Sequence, residues 1–195
     1  MTMHPPITHL PTGGTDVVYP GDEAIQGRLH TEPDARGLIV IAYPTAFSRF
    51  GRNDEHLCTP AHQHGYSTLS VDLLTPEETT VSPDAVHAHL VRRLASVLED
   101  SRRRGQTGLC VFAIGAAAPA ALPASDHQDV TAIATCALPG VVSASDDDVD
   151  RAGSRVLECT PTLGTTLTWD DVDQSMRRAL VWFDAALSQR RQEIT

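Results

Sequence analysis

The sequence predicts an α/β fold, a doubly wound and mainly parallel sheet with helices on both faces, and three stretches carry that prediction. Residues 37–43, GLIVIAY, form a continuous apolar run rich in β-branched side chains, the composition of a strand buried on both faces. Residues 82–105 show every signal of a long helix. Ser82 is the N-cap, Pro83 and Asp84 fill the first turn, and Val86, Leu90, Leu94, Val97 and Leu98 make the stripe. Arg102, Arg103 and Arg104 then precede a stopping Gly105. Residues 109–114, LCVFAI, read as a second buried strand, which Gly115 ends and a helix of small residues follows at once. Strands alternating with helices in this way imply parallel pairing through helical crossovers.

The other elements fit between these. Residues 1–14 hold Pro5, Pro6, Pro11, Gly13 and Gly14 and are expected to be a flexible segment before a single domain at 15–195. Thr15 to Tyr19 and Ala24 to Thr31 read as strands joined by the turn residues Pro20, Gly21 and Asp22. Asn53 to His64 reads as a helix that Pro60 should kink or shorten. Ser67 to Val71 is another buried strand, ending at Asp72, and Val130 to Cys136 and Val156 to Thr160 read as the last two. Asp170 to Arg191 closes the chain as a helix with Val172, Met176, Ala179, Phe183 and Leu187 on one face.

Composition narrows the function. The 195 residues, 41% of them hydrophobic, suit one domain with one sizeable core. A net charge of −10 with no long basic run disfavours nucleic acid and anionic membrane as partners. No apolar run approaches a membrane span and no secretory leader is read, so a cytoplasmic protein is the expectation. All 15 basic residues are Arg, which excludes chemistry through a lysine; the Arg and Ala bias reads as that of a high-GC bacterial genome. Cys58, Cys110, Cys136 and Cys159 are widely spaced with no C-x-x-C and read as free buried thiols. Cys58 and His62 share a helix face but His62 and His64 do not, so these residues make no metal set. The acidic run Asp146, Asp147, Asp148 and Asp150 lacks the Gly and closing Glu of a calcium loop. No metal or cofactor is expected.

The strand, tight turn and helix at 109–122 have the shape of a nucleophile elbow, in which G-x-S-x-G holds a serine on a strained turn above the sheet. Here the five residues are Ala113, Ile114, Gly115, Ala116 and Ala117, so the nucleophile position carries no side chain. Residues 37–49, GLIVIAYPTAFSR, followed by 65–78, GYSTLSVDLLTPEE, resemble small bacterial α/β-hydrolases of the dienelactone-hydrolase type. In those, one strand runs into H-G-S-G-x-S-R and a later one ends in L-D-L-L-T-P-E-E. The likeness runs on through the elbow to Ala179, Trp182 and Phe183, and covers residues 15–190. It implies an α/β-hydrolase fold without a cap domain, truncated between its sixth and last strands.

The departures from that pattern are as informative as the matches. Where the family has H-G-S-G beside its oxyanion hole, this chain has Tyr43, Pro44, Thr45 and Ala46, and Pro44 offers no N–H. The family's catalytic His corresponds to Thr165, and no strand ending in the family's acid is read between Cys136 and Val156. A serine needs a base, and the base needs an orienting acid; all three positions are departed from. By the same resemblance Tyr43, Thr45, Arg49, Asp72, Gly115, Ala116 and Cys136 should surround the ligand cleft, with an Asp72–Arg49 pair at the carboxyl edge of the sheet that either faces the ligand or only anchors a loop.

The leading expectation is a catalytically degenerate hydrolase homologue that binds a small organic ligand or a protein partner in the residual cleft; a homodimer is compatible with it. The alternative is a non-hydrolytic enzyme, such as a cyclase, isomerase or lyase, that uses Asp72, Tyr43 or Cys136 as acid or base.

Overall fold

The structure is a computed structural model that describes residues 14–19, 25–45, 52–75, 77–80, 82–138, 155–160 and 166–194. Seven strands form one sheet: β1 (Thr15–Tyr19), β2 (Ile25–His30), β3 (Leu38–Tyr43), β4 (Ser67–Asp72), β5 (Leu109–Ile114), β6 (Val130–Cys136) and β7 (Val156–Cys159). Their order across the sheet is β1-β2-β4-β3-β5-β6-β7. β2 pairs antiparallel with β1 and β4, and every other neighbour is parallel. The helices are α1 (Arg52–Gln63), α2 (Pro83–Arg103), α3 (Ala118–Ala121) and α4 (Trp169–Ile194), with 3₁₀ turns at Glu77–Thr80, Gly115–Ala117 and Leu122–Asp126. The described residues include no separate cap domain and no helix long and apolar enough to cross a membrane.

The run of residues 37–43 is apolar throughout because both its faces are covered. Leu38, Val40 and Ala42 pack with Leu90, Leu94, Val97 and Leu98 of α2 and Ala117, Ala120 and Ala121 of the elbow helix. Ile39, Ile41 and Tyr43 pack with Leu57, Cys58 and Ala61 of α1 and with Val172, Met176, Ala179 and Phe183 of α4. Alternation along the strand thus splits one apolar run between two cores.

The start of α2 is capped as expected: the Ser82 hydroxyl accepts from the Ala85 N–H at 3.4 Å. In α1, Pro60 does not end the helix. The helix continues past Pro60 to Gln63, because only one intrahelical donor is lost there and the next turn closes through His64 N–H to the Pro60 and Ala61 carbonyls, both at 3.1 Å.

Candidate functional site

Gly115 stands at the carboxyl end of the central strand β5, where a 3₁₀ turn leads into α3. Its φ is +57°, a left-handed conformation that costs an L-residue about 1–2 kcal/mol. Glycine removes that strain. A Cβ built here would meet nothing nearer than Pro44 Cγ at 3.9 Å, so the space above the turn is open to a side chain or a ligand. Ala117 and Ala118 are fully buried and let the helix pack directly on the strand, while Ala116 is exposed. Thr45 is exposed beside Pro44 at the same edge.

Register sets a row of side chains along the carboxyl edge. Asp72 lies opposite Tyr43, Ala42 opposite Ala113, Ile114 opposite Cys136, and Cys136 opposite Cys159. Sharing an edge does not bring these groups into one cleft. Tyr43, Ile114 and Cys136 turn into the core beneath α1 and α4, and the Tyr43 hydroxyl donates to Asp54 Oδ1 at 3.3 Å. Burial, followed by the Asp54 charge, holds the Tyr43 phenol well above its usual range. Burial likewise pushes the Cys136 thiol up to about 11. Both stay protonated at neutral pH, so neither supplies a base or a thiolate nucleophile there. Asp72 is buried at the end of β4. Arg49, Thr165 and the acidic run 146–150 lie outside the described residues.

Two polar arrangements were not anticipated. On α1, Asp54, Cys58 and His62 follow one another at four-residue spacing and face β4. Asp54 Oδ1 accepts from Ser70 Oγ at 2.5 Å, from Tyr43, and from Cys58 Sγ at 3.6 Å. His62 Nε2 bonds Thr68 Oγ1 at 2.9 Å, and its Nδ1 lies 3.6 Å from Glu32 Oε1. The His62 side chain is only 15% exposed. The i, i+4, i+8 polar stripe was the available signal.

The second arrangement sits below the loop after β4. Arg93, 5% exposed in α2, forks onto Glu78, with Nη2 donating to Oε1 at 2.6 Å and Nη1 to Oε2. Nη1 also donates to the Leu73 carbonyl at 2.7 Å, and Glu78 Oε2 accepts from the Thr75 N–H at 2.8 Å. A bidentate buried pair of this kind fixes geometry as well as energy, and here it pins the loop bordering Asp72. An Arg between Leu90 and Leu94 on the buried stripe of α2 was its sequence signal.

No known protein-family profile matches this sequence, and no curated protein does. Solved structures do. The chain is similar over 89% of its length to a dienelactone hydrolase from Anabaena variabilis, covering 97% of that chain with a TM-score of 0.64 at 16% identity. The fold is that of the α/β-hydrolases. A cold-adapted esterase from an Arctic intertidal metagenomic library gives a TM-score of 0.59 at 10% identity, over 86% of this chain and 92% of that one. At such identities the likeness is one of fold, and within this α/β-hydrolase frame Gly115 occupies the turn after the central strand.

Among the described cavities, one of about 430 Å³ lies between α1 and α4, lined by Glu55, His56, Thr59 and Arg177. Another of about 270 Å³ lies beside Trp182 and Arg190. Neither includes Gly115 in its lining.

Proposed function

We propose that this chain keeps the hydrolase frame without hydrolase chemistry and uses the space above Gly115 to bind a small organic ligand. The observation that carries the reading is Gly115 itself, a side-chain-free residue with φ +57° at the end of β5 and open space where a nucleophile would project. The rest of the proposed degeneracy follows from the resemblance: Thr165 stands at the base position and no acid strand is read before Val156. Without a nucleophile, base and orienting acid, an ester bound above the turn has no attacking atom. Apolar Ala116 and Pro44 with exposed Thr45 form the near surface, and Arg49 and Asp72 are proposed as its polar rim.

The experiment has a chemical arm and a binding arm. Incubated with p-nitrophenyl butyrate and with a fluorophosphonate probe, the protein is expected to show no turnover above background and no adduct. A stoichiometric adduct on any Ser, Thr or Cys overturns the reading. In the second arm, the fluorescence of bound anilinonaphthalene sulfonate is titrated against the native chain, Gly115→Leu and Ala116→Leu, with circular dichroism confirming folding. Loss of saturable binding in a folded variant supports the cleft; unchanged binding in both removes it.

A further inference from the structure

We propose that Cys136 and Cys159 form a redox-active dithiol, a modification site whose oxidised state is a disulfide joining the carboxyl ends of β6 and β7. Far apart in sequence, the two cysteines are Cα partners in the parallel β6–β7 pair, each the last residue of its strand. Side chains alternate with period two along both strands, so in-register partners project to the same face. Adjacent strands lie about 4.8 Å apart, within the roughly 4.4–6.8 Å between Cα atoms that a disulfide spans. Both residues pack toward α4: Cys159 Sγ donates to the Ser175 carbonyl at 3.8 Å, and Cys136 lies in one core with Val172 and Met176 of that helix.

The other two cysteines are placed differently. Cys58 donates to Asp54 beneath α1, and Cys110 lies within β5 beside Ala132. Among the described residues β7 pairs with β6 alone, and the proposed S–S bond is closed by a shift at the end of this edge strand. In-register parallel neighbours hold their Cβ atoms about one strand spacing apart, ~4.8 Å, wider than the roughly 3.5–4.5 Å of a relaxed disulfide, so the bond is strained and of the labile, reversible kind.

A hydroperoxide is the oxidant. The Cys159 thiolate attacks the peroxide oxygen, the O–O bond breaks, and hydroxide leaves to be protonated to water, giving a sulfenic acid. Cys136 then loses its proton and attacks that sulfur, the S–O bond breaks, and a second water leaves. Two electrons pass from the two sulfurs to the peroxide, so two thiols and one hydrogen peroxide become one disulfide and two waters. In this scheme Cys159 attacks first: burial raises its thiol, and the nearby Arg178 guanidinium opposes that rise. Burial keeps both as thiols at neutral pH, so the reaction is slow there and accelerates about tenfold per pH unit in mildly alkaline solution.

The test treats the native full-length chain with hydrogen peroxide, alkylates remaining thiols after unfolding, and maps peptides without reduction. Expected are a fall from four alkylatable thiols to two, a Cys136–Cys159 linked peptide, and return to four with dithiothreitol. A titre that stays at four over pH 7 to 9, or linkage through Cys58 or Cys110, overturns the proposal. Cys159→Ser should leave Cys136 without an intrachain partner; a persisting intrachain disulfide at Cys136 in that variant also overturns it. The inference is independent of the cleft above Gly115, and the wild-type map decides it even where the variant folds poorly.

Discussion

The face of the sheet under α2 and α3 is filled by Leu, Val, Ile and Ala, with Arg93 bound to Glu78 beside it. The face under α1 and α4 also holds a large apolar core, but a hydrogen-bonded series runs through it. Thr68 and Ser70 of β4 meet His62, Cys58 and Asp54 of α1, Tyr43 joins from β3, and Cys159 meets Ser175 of α4. Burying apolar surface is non-directional, so the first face tolerates shape-conserving change. Hydrogen bonds in a low-dielectric interior are directional and costly to orphan, so the second face specifies where α1 and α4 sit. The candidate site lies at the carboxyl edge of the sheet, where Gly115 follows β5 and the Arg93–Glu78 pair holds the loop after β4.

Breaking the polar face should have the largest effect. Asp54→Ala removes at once the acceptor of Ser70, Tyr43 and Cys58, and a loss of about 3–4 kcal/mol in urea-induced unfolding is expected. A loss below 1 kcal/mol would mean that the series is not what holds α1. On the apolar face Leu94, fully buried in α2, should accept Leu94→Met at a cost below about 1.5 kcal/mol in the same assay. A larger cost would erase the distinction between the faces.

The smallest expected effect is a dependence on pH. The His30 and His62 rings lie 5.6 Å apart between centroids and tilted by 47°. Burial holds both below the ordinary histidine value of 6.5, against opposing pulls from Glu32 and Asp54. A lowered folded value means that the unfolded chain binds protons first as pH falls. Stability contributed by this pair is therefore complete above about pH 6.5 and is lost below it, as pH falls through the folded values. The melting temperature should drop between pH 7.5 and 5, and His62→Gln should flatten that drop; an unaltered profile would assign the acid sensitivity elsewhere.

What the sequence determined by itself is local or periodic. The apolar run 37–43, the capped stripe of α2 and the small residues after Gly115 each carry their structure in neighbouring positions, because burial on two faces, helix capping and close strand–helix packing are read a few residues apart. The position of Gly115 on the turn after the central strand was legible for the same reason. Where side chains point at the carboxyl edge was not. Tyr43 was expected to rim the cleft and instead turns to Asp54, and Cys136 faces α4, because the pleat assigns each strand residue to a face only once register is set. The forked pair Arg93–Glu78 and the partnership of Cys136 with Cys159 belong to the same class. Both join residues from separate elements, and only the packing of those elements decides which distant side chains meet.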